Sequence, residues 1–387
     1  MSRRLMLLGV LLAGFASTIA IAEDKKEPAV AADTAIDWQK ARALYQREQQ
    51  NEKLSAEEQA YLDRAKAARQ AGQRPNAAAG QARPGAGQNA AQEKPRESTG
   101  MIALSNGGAE KYKGLTLGLY GDGKNEPPAA HLERAMAAAK LVTPLNSEGK
   151  ADAGGKIGLM SIGMSNTTQE FSKFVQMANG DAAKNPKLVI VDGAQGGMDA
   201  ADWADAQRGP AVWANADQRA ARLEISPKQV QVIWIKQALK VPQRYGEFPA
   251  HADALKKDMA TIVSLAKQRY PNLKLVYLSS RTYGGWALGA LNPEPYAYES
   301  AFSVRGLIED QIKGEKGLGY ADAPVLLWGP YLWTDGTKGR TTDKLVWEQA
   351  DTARDGTHPS ESGRAKVGGL LLEFFKSDAT AKGWFLK

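Results

Sequence analysis

Lys156-Ile157-Gly158-Leu159-Met160-Ser161-Ile162-Gly163-Met164-Ser165-Asn166 is the stretch on which the reading of this chain turns. An apolar run ends in Gly-Met-Ser-Asn. Thr167-Thr168-Gln169-Glu170-Phe171 follows as a helix start, with Phe171, Phe174 and Val175 at helical spacing. A serine at such a strand-to-helix turn stands at the carboxyl edge of a sheet, where open α/β folds keep their ligands. The free N–H groups of the new helix stabilise negative charge on a bound oxygen, and Gly163 permits a turn where a side chain would clash. Ser165 then has two readings, a helix N-cap or a nucleophile. The second gains from the far end of the chain. There Asp355-Gly356-Thr357-His358-Pro359-Ser360 sets a carboxylate three residues before a histidine, completing a serine, histidine and aspartate set.

Outward from that stretch, five apolar runs read as strands: 157–162, 188–191, 230–235, 273–278 and 325–328. Most are continuous rather than alternating, the pattern of parallel strands buried on both faces. Helical spacing separates them over 168–178, 251–269 and 303–313, and an amphipathic helix closes the chain over 360–375. The alternation predicts a three-layer α/β/α sandwich around a central parallel sheet of about five strands. Tyr120-Gly121-Asp122-Gly123-Lys124-Asn125-Glu126-Pro127-Pro128 leads into a helix from Ala129; its glycines lack the strand and spacing of a dinucleotide fingerprint and read as turn formers.

With 387 residues, 43% hydrophobic and 24% charged, the chain has the composition of a soluble globular protein. A net charge of +7 without blocks of Lys/Arg and aromatics argues against nucleic acid as a partner. The absence of cysteine excludes disulfides, thiolate nucleophiles and cysteine-ligated metals. Three histidines, His131, His251 and His358, with no close pair, argue against a histidine-rich metal site.

The amino terminus reads as an export signal: Arg3 and Arg4, an apolar run over 5–21, and Ala20-Ile21-Ala22 as a cleavage site, with an uncleaved membrane anchor as the other reading. Residues 1–22 are thus expected to be the signal, and the mature protein periplasmic or secreted. Residues 23–73 hold a small helical hairpin over 37–72, with Trp38, Ala41, Leu44 and Tyr45 on one apolar face. Ser55-Ala56-Glu57-Glu58 is the capping box of its second helix, which turns Tyr61, Leu62 and Ala65 inward. The hairpin is too small to bury much core alone and is expected to dock on the main domain or on a protein or envelope partner. Residues 74–98, rich in Ala, Gly, Gln and Pro, read as a flexible tether, leaving 99–387 as the main domain.

From Lys156 to the carboxyl end the order of segments resembles the SGNH hydrolases, the GDSL-like esterase superfamily. Gly163-Met164-Ser165-Asn166 is similar to that family's first block, which carries the nucleophile. Asp192-Gly193-Ala194-Gln195-Gly196-Gly197 is similar to the second, whose last glycine, here Gly197, gives an N–H to the oxyanion. Asp355-Gly356-Thr357-His358 is similar to the final Asp-x-x-His block. Two positions depart from the pattern. Met164 stands where the family has aspartate, and the Gly-x-Asn block falls at Lys236-Gln237-Ala238, with Ala238 in the asparagine slot. Gln237, one residue early, or Lys236 is then expected to serve the oxyanion.

The resemblance implies acyl transfer without a cofactor. Ser165 attacks an ester carbonyl, His358 takes its proton, and Asp355 orients the imidazole. The N–H groups of Ser165 and Gly197, with Gln237 or Lys236, hold the oxyanion. Asp355 also reads as a helix N-terminal residue. Arg281, at the end of the fourth strand, is a candidate for binding an anionic or hydroxyl-rich substrate, or else pairs with Glu294 or Glu299. The segment 291–299 reads as a loop beside that edge. Trp286, Trp328, Tyr331 and Trp333 either line a groove for sugar rings or pack. Asp199, Asp202 and Asp205 lack the calcium-loop pattern and read as a solvated loop. Two functions are compatible with these residues: an exported esterase, with an acylated polysaccharide among its substrates, and a non-catalytic SGNH-like envelope protein that binds carbohydrate or a protein partner.

Overall fold

The computed structural model describes residues 36–37, 40–41, 44, 54–70 and 96–387. Residues 1–22, read as an export signal, Trp38, Tyr45, and most of 74–98, read as a tether, lie outside the described residues. The chain forms two compact units, Met1–Asn89 and Ala90–Lys387.

In the first unit, helix α1 spans Ala56–Gln70. Its start is the expected capping box: the Glu58 N–H donates to Ser55 Oγ at 3.2 Å, and the Ser55 N–H to Glu58 Oε2 at 2.9 Å. Ala41 and Leu44 are buried, as are Leu62 and Ala65 of α1. The Asp37 N–H donates to Tyr61 Oη at 2.7 Å.

The second unit opens with a short antiparallel pair, β1 (Lys111–Tyr112) and β2 (Leu115–Thr116), and helix α2 (Ala129–Lys140). Five parallel strands follow, β3 (Ile157–Gly163), β4 (Leu188–Val191), β5 (Val230–Lys236), β6 (Leu275–Leu278) and β7 (Val325–Trp328), in the order β4-β3-β5-β6-β7. The helices between and after them are α3 (Ser165–Gly180), α4 (Ala200–Ala204), α5 (Gly209–Arg222), α6 (Ala250–Arg269), α7 (Tyr296–Lys313), α8 (Glu361–Ser377) and α9 (Lys382–Phe385). The result is a three-layer α/β/α sandwich. β3, β5, β6 and β7 are buried at every residue, which is why they read as continuous apolar runs.

The order places the site. From β3 the chain crosses to the edge strand β4 and returns to β5 on the other side, so the topology reverses at β3. Open α/β sheets form their ligand crevice beyond the carboxyl end of the strand where this happens, and Ser165 starts the helix that follows β3. Packing then brings the chain's end to the same place. Phe171 and Phe174 are fully buried, each such burial contributing about 1.5–3 kcal/mol. Phe171 stacks on Trp234 of β5 at 5.5 Å between centroids, and Phe174 meets Phe375 of α8 at 5.4 Å. α3 is thereby fixed to both sheet and α8, and the residues just before α8 are 355–360.

Three expected loops or boundaries differ. The 291–299 segment is half helix: α7 starts at Tyr296, seven residues before the expected start at 303, because Pro295 fits a helix amino end. Asp199 and Asp202 are buried, not solvated, and form the capping box of α4. Residues 96–98, read as the end of the tether, are bonded to the main unit. The Arg96 N–H donates to Gly285 O at 2.9 Å, and Ser98 Oγ donates to Asp335 at 2.6 Å.

Candidate active site

The turn from β3 to α3 is closed by contacts that tolerate no side chain at Gly163. A Cβ there would fall on the Thr167 side chain and the Lys236 carbonyl oxygen. Thr167 Oγ1 in turn donates to that same carbonyl at 2.6 Å. The N-cap position belongs to Met164, which makes no side-chain cap. Ser165 itself is the first helical residue, and its hydroxyl is free for another partner.

That partner is His358. Ser165 Oγ lies 2.8 Å from His358 Nε2, and His358 Nδ1 lies 2.6 Å from Asp355 Oδ2. The other Asp355 oxygen accepts from the N–H groups of His358 at 3.0 Å and Thr357 at 3.1 Å. Burial opposes ionisation of Asp355, but the His358 ring and these N–H groups outweigh it and hold its pKa below the ordinary carboxylate value. Ser360, two residues on, caps α8. The other two histidines are internal: His131 lies between Tyr320 Oη and Leu326 O, and His251 pairs with Glu299.

The loop after β4 supplies backbone donors. A Cβ at Gly196 would stand 3.8 Å from Ser165 Cβ. Gly196 and Gly197 are exposed, and their N–H groups donate to no partner among the described residues. The loop is held from several sides. The Gln195 N–H donates to Gly163 O at 3.0 Å, Arg219 Nη1 to Ala194 O at 2.7 Å, and Lys240 Nζ to Gly197 O at 3.1 Å. Asp192 accepts from Ser161 at 2.7 Å, from Ser172 at 2.8 Å and from Thr168. Burial raises its pKa against those hydroxyls.

At the end of β5, Gln237 is 2% exposed and its Nε2 has no hydrogen-bond partner among the described residues. Lys236 has another fate. Its ammonium is fully buried and lies 2.6 Å from Glu170 Oε1 of α3. Burial pushes its pKa down and Glu170 opposes this. The expectation that Lys236 serves an oxyanion is therefore corrected: its charge is taken up by Glu170. Arg281 is buried near the same carboxylate, with its Nε unpartnered among the described residues. It pairs with neither Glu294 nor Glu299. Glu294 accepts from the N–H groups of Gly284 and Tyr298 and from Trp333, and Glu299 from Tyr112 and Lys113. Trp286 and Tyr331 are both buried, and Trp286 lines a small cavity with Thr357 and Pro359 of the base loop. Trp286 packs edge-on to Tyr283, and Tyr331 accepts the Leu104 N–H at 3.2 Å.

The Glu170–Lys236 pair predicts a stability effect. Glu170→Gln would leave Lys236 and Arg281 as two buried cations facing no carboxylate on α3. A loss of about 3–5 kcal/mol is expected, read as a lower urea midpoint at unchanged slope. Glu170→Leu combined with Lys236→Met should recover the part of it due to Lys236, with Arg281 still lacking the Glu170 carboxylate.

Sequence reasoning passed over Gly196, Asn166 and Lys240. Asn166 Nδ2 donates to Thr357 O at 2.8 Å. Only the position beside Ser165 hinted at Asn166; nothing local hinted at Lys240, which lies 43 residues from the carbonyl it holds.

No family model matches this chain, and no curated protein matches it. Solved structures do. One is a protein from Bacteroides fragilis described as an acylhydrolase, 17% identical at a TM-score of 0.32, the match covering 64% of this chain and 97% of that one. Another is the salicylyl-acyltransferase SsfX3 from a tetracycline biosynthetic pathway, 12% identical at 0.32, covering 60% of this chain and 58% of that one. A third is a protein from Arabidopsis thaliana, 11% identical at 0.31, covering 54% and 67%.

Proposed function

We propose that this chain is an exported serine esterase of SGNH type that hydrolyses acyl esters, with O-acetylated carbohydrate as the substrate class to test first. One observation carries the reading: the continuous hydrogen-bonded line from Ser165 Oγ through His358 to Asp355, beside N–H groups with no partner among the described residues. His358 Nε2 takes the Ser165 proton as Oγ attacks the ester carbonyl. Asp355 holds the proton on Nδ1, so Nε2 is free to accept. The developing oxyanion is held by the N–H groups of Ser165 and Gly197, with Gly196 adjacent and Gln237 as the side-chain donor. His358 then protonates the leaving alcohol, and water attacking the acyl-serine releases the acid. The amino-terminal signal, hairpin and tether belong to this proposal as the parts that deliver the enzyme to the envelope.

A binding protein without turnover is the second reading. It draws on the deep burial of Gln237, which leaves the third oxyanion donor enclosed. Turnover of 4-nitrophenyl acetate by the purified protein separates the two. The esterase reading expects acetate release that saturates with substrate; binding without turnover would favour the other.

Asp355→Asn tests the orienting role. An amide there would donate to Nδ1 and force the wrong tautomer, so kcat should fall by on the order of 10⁴-fold with the fold intact. A loss of less than about tenfold would remove Asp355 from the mechanism.

A further inference from the structure

Asn166 has no part in the mechanism above, yet it is buried in an unfavourable way. It is 1% exposed. Its Nδ2 donates to Thr357 O at 2.8 Å, and its Oδ1 is buried with no partner among the described residues. The amide cannot be turned round, because a carbonyl such as Thr357 O only accepts. An unmade buried hydrogen bond destabilises a fold; an apolar side chain here would remove the unpaired Oδ1 but would also leave Thr357 O without its donor.

The place of this bond is informative. Asn166 follows Ser165, and Thr357 precedes His358. The side-chain hydrogen bonds between α3 and α8 themselves start further along both helices, at Lys173–Glu361 and Gln169–Arg364. The base loop is otherwise tied to itself and to the segment after β6: the Ala353 N–H donates to His358 O at 2.7 Å, and the Leu288 N–H to Asp355 O at 3.0 Å. Neither bond touches the helix that carries Ser165.

We propose that Asn166 is a positioning residue for the Ser165–His358 pair, holding the base loop at hydrogen-bonding distance from the nucleophile through Thr357 O. Its kinetic consequence rests on the esterase reading; its geometric consequence does not. The amide leaves Oδ1 unpaired while Nδ2 fixes the separation between the two side chains.

The test uses Asn166→Leu, with Asn166→Ala as a second variant should leucine not be accommodated, in the full mature chain. Imidazole NMR is well suited, because the chain has only three histidines and two of them are internal controls. The account expects the His358 ring signals to shift or broaden while those of His131 and His251 stay. The melting temperature of Asn166→Leu is expected to stay close to that of the unmutated protein, because relief of the unpaired Oδ1 offsets the donor lost to Thr357 O. The kcat on 4-nitrophenyl acetate is expected to fall about 10- to 100-fold at nearly constant KM. Unchanged His358 signals in a folded variant, or activity that falls only as far as stability does, would overturn the proposal. Shifted His358 signals in a protein that never turns over ester would instead keep the positioning role and remove the esterase.

Discussion

Ser165→Ala is expected to remove ester hydrolysis, by on the order of 10⁴- to 10⁶-fold in kcat, while leaving the melting curve near that of the unmutated protein. The size follows from what the hydroxyl does. Without Oγ there is no nucleophile for His358 to activate, and the residual rate is that of water in a site that still binds substrate. The fold is spared because Ser165 is not the cap of α3: Met164 occupies the N-cap position and makes no side-chain cap hydrogen bond. The Ser165 hydroxyl has His358 as its hydrogen-bond partner, and the neighbouring contacts of Gly163, Thr167 and Asn166 hold the turn. Circular dichroism and steady-state kinetics on the same sample check both halves. Equal activity in the variant would show that ester is cleaved elsewhere or not by this protein.

Gly163→Ala is expected to have the largest effect on stability, above about 4 kcal/mol or failure to fold. A methyl at this position meets the Thr167 side chain and the Lys236 carbonyl, one on α3 and one on β5. Neither is the loose end of a flexible side chain. Thr167 is buried and bonded to that same carbonyl, and Gly163 is paired in register with Lys236. Relief would have to come from sliding α3 away from β5, which breaks the Phe171–Trp234 stack and moves Ser165 from His358. Soluble yield and the urea midpoint are the measurements. A variant within about 1 kcal/mol of the unmutated protein would contradict this account of the turn.

The sheet was legible because its strands are buried on both faces and so appear as unbroken apolar runs. The serine turn and the Asp-x-x-His segment were legible because each is local: Gly163 and Ser165 are two residues apart, Asp355 and His358 three. What escaped depends on partners far along the chain. Lys236 read as a free charge at a sheet edge because Glu170 lies 66 residues before it. Trp286 and Tyr331 read either as groove walls or as packing, and both are buried. Asp199 and Asp202 looked solvated because a capping box of two aspartates on a five-residue helix has no apolar run to announce it. Asn166 read only as the last residue of the serine turn, and its partner Thr357 lies 191 residues later.

Labelling with a fluorophosphonate probe, followed by peptide mapping, reads the activated serine itself. A single adduct on Ser165 that disappears in His358→Ala is expected, because only a serine paired with a base reacts at a useful rate. Absence of any adduct on folded protein, or an adduct on Ser165 that persists at full rate without His358, would contradict an activated Ser165–His358 pair.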